Sequence, residues 1–264
     1  MATAHTLYDN FVLENKITDL MNTKLDIRSL FTVDNSLTQA AGLRKTVNKY
    51  TYTGEVEKLA KGAKNTKRGK VTFVPTHYDV ERYQQTYDYN DMDVMQDPMI
   101  VDVASRGAAE VMVNEIKTQY FTELAKISNS FQYDSALNYD AVVDALAAIG
   151  EEVEDGMFLM LGLDGKQQIR KDPDFKASRQ GEILYTGQFG TISGLPVCFS
   201  KLMPKDTSYI TKKDAITFFV KKEGSVEQDR DIETKDNTVV YERHGLIALT
   251  DDTKSIKLTK KASG

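Results

Sequence analysis

Two short runs, Lys49-Tyr-Thr-Tyr-Thr53 and Lys70-Val-Thr-Phe-Val74, enclose the polar stretch Gly54-Glu-Val-Glu-Lys-Leu-Ala-Lys-Gly-Ala-Lys-Asn-Thr-Lys-Arg-Gly69. Both runs alternate and are rich in β-branched and aromatic residues, the pattern of paired strands. Gly54, Gly62 and Gly69 punctuate the stretch between them, and Asn65 helps it turn. The reading is a long antiparallel hairpin with a basic tip. From residue 55 to 70, Lys58, Lys61, Lys64, Lys67, Arg68 and Lys70 stand against Glu55 and Glu57, a net of +4. An isolated two-stranded ribbon is marginal in water, so something must cover one that projects this far. Lys61, Lys64, Lys67 and Arg68 are the candidate contact residues, set to meet carboxylates of a partner. The tip lacks interleaved aromatics, which counts against nucleic acid as that partner.

Residues 1–48, upstream, read as an arm. A short helix is expected over 7–21, the charges cancel, and the large apolar residues are too few for a core of its own, so the arm needs something else to lie on. Downstream, Asp97 is a plausible N-cap, and Pro98 takes the first helical position, where its missing N–H costs nothing. Ile100, Val103, Ala104, Ala108, Val111, Met112, Ile116, Leu124 and Ile127 follow helical spacing. A helix reaching Ile127 would be about 45 Å long, a structural spine. Its apolar spacing puts Val103, Val111 and Ile116 toward a core and Asp102, Glu110 and Lys117 away from it.

The next section is α/β. Asn138 caps a helix over 139–153, residues 157–162 form a central strand, and a short helix opens at Asp164-Gly165 and stops at Asp172-Pro173. Residues 191–200 read as a strand broken at Gly194 and Pro196. Strands follow at 214–220, 238–241 and 245–249, and residues 258–264 read as a frayed tail.

Composition narrows the function. In 264 residues, 41% are hydrophobic and 28% charged; this excludes collagen-like, disordered and disulfide-scaffold classes. A net charge of −5 excludes a general polyanion binder. The single cysteine, Cys198, cannot form an internal disulfide, which points to synthesis in the cytosol. The first residues lack a secretion-signal pattern, and no window approaches a membrane span. His5, His77 and His244 have no ligand spacing among them, and no glycine-rich phosphate motif or nucleophile elbow is present. The nearest glycine cluster, 187–194, reads as a turn and a bent strand, and Cys198 as a small core residue. Asp88, Asp91, Asp93 and Asp97 suggest a cation site, but the stronger reading is an acidic turn at a helix N-terminus. No catalytic residue, cofactor or metal is expected.

The order arm, long hairpin, spine helix, α/β section and β-rich return resembles the Hong Kong 97-type major capsid protein of tailed bacteriophages. The stretch Gly187-Gln-Phe-Gly-Thr-Ile-Ser-Gly-Leu-Pro-Val-Cys-Phe-Ser-Lys-Leu-Met-Pro204 is similar to that family's G-x-x-G-x-I-x-G-x-P-V-x-x-S strand. Ser225-Val-Glu-Gln-Asp-Arg-Asp231 and Arg243-His-Gly-Leu-Ile-Ala-Leu249 resemble its strands near the C-terminus. The resemblance implies an α+β fold: N-arm 1–48, extended hairpin loop 49–90, peripheral domain 91–133 and 223–264 with the spine helix, and axial domain 134–222. It implies a shell protein that self-assembles into hexamers and pentamers of an icosahedral phage head enclosing double-stranded DNA. Implied partners are other copies of itself, portal and head-completion proteins and non-specifically contacted DNA, with no membrane. The hairpin comes within 50 residues of Met1, so a separate scaffolding protein is also expected. The protein would be made in the host cytoplasm and reside in the virion. The competing readings are an encapsulin-type nanocompartment shell and an unrecognised cytosolic α/β enzyme.

Overall fold

The computed structural model describes residues 10–24, 31–150, 156–173 and 191–261. The hairpin is present as a separate two-stranded ribbon. Strand β2 (Arg44–Thr53) pairs antiparallel with β3 (Lys70–Asp79), with Tyr50 opposite Phe73 and Thr53 opposite Lys70. Both strands run five residues deeper than the alternation suggested. Residue Val80 alone links β3 to β4 (Glu81–Asn90), and β4 leaves the ribbon to pair with β11 (Asp236–Leu249). Residues 81–90, expected in the hairpin loop, therefore belong to the body.

The body's first sheet runs β1-β10-β11-β4, where β1 is Thr32–Asp34 and β10 is Ile216–Arg230. The expected short strands of the β-rich return are two long ones, and irregular register between Val220 and Ser225 lets them continue through one bend. Helices α1 (Asn10–Lys24) and α3 (Ile100–Leu124) pack on this sheet, burying Leu13, Ile17, Phe31, Ile116, Tyr120, Phe218 and Tyr241 in one core. The Phe31 ring meets Phe218 edge-on at 6.2 Å. The arm, expected to need something else to lie on, has its α1 on α3 and β10 of the same subunit, and Lys16 of α1 pairs with Asp102 of α3.

Helix α3 is the expected spine, 25 residues or about 37 Å long. Its buried face is Val101, Ser105, Ala108, Ala109, Met112, Val113, Ile116, Tyr120, Phe121 and Leu124. Ile116 is in the core, but Val103 and Val111 are 63% and 52% exposed, against expectation. The N-terminal half carries two adjoining stripes at helical spacing, and the small one faces the sheet. Ser105 and the two alanines let the helix approach closely, and the Ser105 hydroxyl is satisfied by the Val101 carbonyl at 2.7 Å. Asp102, expected to point away, is held by Lys16 and by Arg106 at 2.7 Å. The helix starts two residues later than expected, with Met99 as its N-cap and no side-chain cap, and Asp97 instead accepts the Met99 N–H at 2.9 Å in the turn before it.

The second sheet runs β5-β12-β9-β6-β8-β7. Its strands are β5 (Ser130–Tyr133), β6 (Met157–Leu161), β7 (Thr191–Ile192), β8 (Leu195–Phe199), β9 (Thr207–Lys212) and β12 (Ile256–Lys260). Every residue of β6 is buried. Met157, Leu159 and Leu161 share a core with Val142 and Leu146 of α4 (Tyr139–Ile149) and Ile169 of α5 (Leu163–Lys171). Phe158 and Met160, on the other face, join the core of α3. Asn138 caps α4 as expected, accepting the Ala141 N–H at 3.0 Å, but Gly150 at φ +72° ends the helix early. Residues 151–155 and 187–190 lie outside the described residues. The break read at Gly194 is a tight turn between β7 and β8, with Ser193 and Gly194 both at positive φ.

Three segments sit elsewhere than the sequence suggested. Residues 256–260, read in part as a frayed tail, form β12 between β5 and β9, with Leu258 fully buried. Because β5 and β12 complete the second sheet, and residues 216–222 lie in the first, the expected limits of the axial section shift at both ends. Local alternation does not reveal which sheet a strand joins. Leu159→Ala should destabilise the subunit by about 2–5 kcal/mol, whereas Val111→Asp should stay within about 0.5 kcal/mol of wild type; denaturant unfolding of each variant checks both.

Candidate assembly interface

Among the described residues, the ribbon is anchored at its root. Lys45, Val47 and Lys49 share the face of the ribbon that turns to the body, as their partial burial shows. Val47, Tyr78 and Val80 pack against a small cluster of Leu37, Phe219, Leu246 and Ala248. Lys45 Nζ lies 4.9 Å above the Phe219 ring, and Lys126 Nζ 5.8 Å from that of Tyr78. Lys49 Nζ reaches Asp252 at 3.1 Å, and the Ser128 hydroxyl donates to the same carboxylate at 3.0 Å. Burial alone would raise the Asp252 pKa; the Lys49 hydrogen bond and charge, with the Ser128 bond, outweigh it and hold the carboxyl below its ordinary value.

Beyond the root the ribbon is bare. Alternation places Tyr50, Tyr52, Val71 and Phe73 on one face, where they are 66%, 70%, 59% and 59% exposed. Tyr50 and Phe73 are 6.1 Å apart across the strands. Tyr52 lies over Gly54 and Gly69, where a Cβ would collide with its ring, so these glycines leave room for the aromatic cap of the ribbon. Among the described residues, nothing forms a second layer over these four large side chains.

The tip is ordered by its own polar groups. Glu57 Oε2 accepts the Thr66 N–H at 2.8 Å and the Thr66 hydroxyl at 3.0 Å, and these bonds hold its carboxyl below the usual range. Asn65 Oδ1 accepts the Lys67 N–H at 2.8 Å. Of the four candidate contact residues, Lys67 pairs with Glu55, while Lys61, Lys64 and Arg68 make no ion pair with a described residue. All four are exposed and gathered at one end of the ribbon.

The acidic run Asp88–Asp97 is structural stitching. It includes a short helix, α2 (Asp91–Gln96), that the sequence reading passed over. Asp88 accepts the Thr238 hydroxyl at 2.7 Å, and Asp91 binds Arg230 at 2.5 Å and Asn237 at 2.7 Å. Asn90 Nδ2 donates to the Thr234 carbonyl at 3.1 Å and to Asp236 at 2.7 Å. These partners stand more than a hundred residues apart in sequence, so no local signal announces them. Among the described residues no group of three or more His, Cys, Asp or Glu is placed to hold a metal ion. His77 bonds Thr46 at 2.9 Å on the ribbon, His244 stands opposite Arg82 in the first sheet, and His5 lies outside the described residues. Cys198 is half-buried against the α3 core, and burial pushes its thiol pKa up, away from nucleophile chemistry. No helix of the described residues is long and apolar enough to cross a membrane.

No family model matches the sequence. Over 247 residues, 90% of this chain and 88% of the relative, it is 22% identical to the major capsid protein of Staphylococcus phage phiMR11. Among solved structures, the capsid of a native GTA particle superposes with a TM-score of 0.70 at 12% identity, covering 90% of each chain. The capsid of Cyanophage P-SCSP1u gives 0.69 at 10% identity, over 89% of this chain and 87% of that one. A virus-like particle from Pyrococcus furiosus gives 0.64 at 12% identity, over 96% and 100%.

The root contact carries a pH test. A carboxyl whose folded pKa is depressed contributes its stability above the unfolded value of about 3.9 and loses it as the pH falls below that. Amide exchange in the root residues 44–49 and 74–79 should therefore quicken on acidification below about pH 4, after correction for intrinsic rates. In Asp252→Asn that acid-dependent part should be absent and root exchange already faster at neutral pH.

Proposed function

We propose that this chain, which has the α+β Hong Kong 97-type capsid fold, is the major capsid protein of a bacteriophage, many copies of which close into an icosahedral shell. The observation that carries this reading is the ribbon. Its aromatic face and basic tip project from a body that already has its own cores, none of the described residues covers them, and another molecule supplies the missing layer. Fully burying a large apolar side chain is worth about 1.5–3 kcal/mol, so four such residues supply the affinity that a long ribbon alone lacks. The body provides a rigid tile and the ribbon provides the grip on the next tile.

The finer parts of the reading follow from the same resemblance. The copies form hexamers and pentamers, the shell encloses double-stranded DNA, and scaffolding, portal and head-completion proteins take part in building it. The chain's net charge of −5 favours weak, non-specific contact with the packaged DNA. The protein is a virion component made in the host cytoplasm, and its role is structural, without catalysis. Residues 1–48 act as the N-arm and the ribbon as the extended loop. The peripheral domain centres on the first sheet with α3, and the axial domain on the second sheet with α4 and α5. The neighbour from Pyrococcus furiosus keeps a shell with other contents as the second reading. Nuclease-protected double-stranded DNA in purified particles decides for the phage head.

The tip residues Lys61, Lys64, Lys67 and Arg68 meet carboxylates on an adjoining subunit. Each exposed pair is worth only about 0.2–1 kcal/mol, too little to affect folding but repeated at every contact of a shell. Electron microscopy of the wild-type protein should show closed particles. Phe73→Asp should give a folded subunit that does not assemble. Changing the four tip residues to Glu should leave the subunit folded and impair assembly most at low ionic strength, because the screening length falls from about 10 Å at 0.1 M to 3 Å at 1 M salt. Normal particles from the quadruple variant at low salt would show the tip to be a solvated loop.

A further inference from the structure

We infer that the basic tip is received by the methionine-lined acidic corner formed by α2 and the β10–β11 turn of a second copy of this chain. The inference rests on the shell reading and specifies its contact.

The corner exposes four large apolar side chains. Met92 and Met95, three residues apart on α2, are 71% and 64% exposed, Met99 at the start of α3 is 55% exposed, and Ile232 in the neighbouring turn is 75% exposed. Methionine is unbranched and polarizable, and it suits a surface that must accept another chain. The tip carries a matching pair in Val56 and Leu59, 94% and 45% exposed.

Charge selects the partner. Residues 88–97 and 229–238 hold eight carboxylates (Asp88, Asp91, Asp93, Asp97, Asp229, Asp231, Glu233 and Asp236) against Arg230 and Lys235, a net of −6. The tip carries +4, so tip and corner are oppositely charged regions of one molecule. Opposed fields of this kind steer encounter and set register. Several of these carboxylates are engaged internally, Asp91 with Arg230 and Asp231 with the N–H groups of its own turn, so the corner is preformed. Asp93, next to Met92 in the chain, and Glu233, next to Ile232, are exposed.

The contact is between copies. Residues 58–70 are exposed throughout, so the tip is not seated on its own body. The ribbon joins the body at the Glu81 end of β4, and the corner lies at the Asn90 end, ten residues or about 33 Å along the strand.

Charge exchange tests this. Asp93→Lys combined with Glu233→Lys should fold normally by circular dichroism and lower particle yield at least tenfold at low ionic strength. Adding Lys61→Glu and Lys64→Glu to that variant should restore most of the yield. As a second measurement, Leu59→Cys with Met95→Cys, in a Cys198→Ala background, should give disulfide-linked ladders of subunits from oxidised particles. Normal assembly of the corner variant, failure of the exchange to restore yield, or intact particles without ladders would overturn the inference and leave the shell reading standing. Tip variants that change the DNA content of particles but not their yield would assign the tip to nucleic acid and overturn it too. Wild-type protein that forms no particles would remove the shell reading itself.

Discussion

The last two turns of α3 hold the molecule together. Tyr120, Phe121 and Leu124 share one core with Phe218 and Tyr241 of the first sheet and with Phe158, Met160 and Tyr209 of the second. The Tyr120 and Phe121 rings meet edge-on at 5.4 Å, and burial pushes the Tyr120 phenol pKa well up. Neither sheet can move relative to the helix without opening this core, and close-packed interiors resist such opening. The two halves of the body are therefore one mechanical unit, and β6, buried on both faces, is its central strand.

That rigidity gives the ribbon its meaning. The body builds its cores without Tyr50, Tyr52, Val71 and Phe73, yet these residues are concentrated on one face of one ribbon. The same division appears in the polar groups. The carboxylates of the acidic run that bind within the subunit lock α2 to the distant β10–β11 turn, while the basic tip spends little of its charge on its own chain.

Much of this was legible in the sequence, and the limits have physical causes. The hairpin, the spine helix, the Asn138 cap and the central strand read at 157–162 follow from local patterns: alternation, helical spacing, a capping residue and a continuous apolar run in turn. The candidate tip residues follow from charge count alone. Tertiary choice was not legible. Val103 and Val111 fit a helical stripe as well as Ser105, Ala108 and Ala109 do, and only the sheet decides that the small residues face inward. Likewise nothing local in 256–260 says that the strand enters between β5 and β9. The stitching of Asp91 to Arg230 and Asn237 joins residues far apart in the chain, and a lone sequence carries no sign of it.

Val80 has a mechanical consequence. It is the single residue between a ribbon that packs on the body through a small satellite cluster and a strand locked into a four-stranded sheet. If neighbours grip one another through the ribbon as proposed, bending between them would fall at this point, since the fused body resists it. Rings of five and rings of six subunits need different dihedral angles between adjacent tiles. In the shell proposed above, a stiff tile with one joint would meet both angles with a single fold, and curvature would be set at the joint and not by deforming the tile.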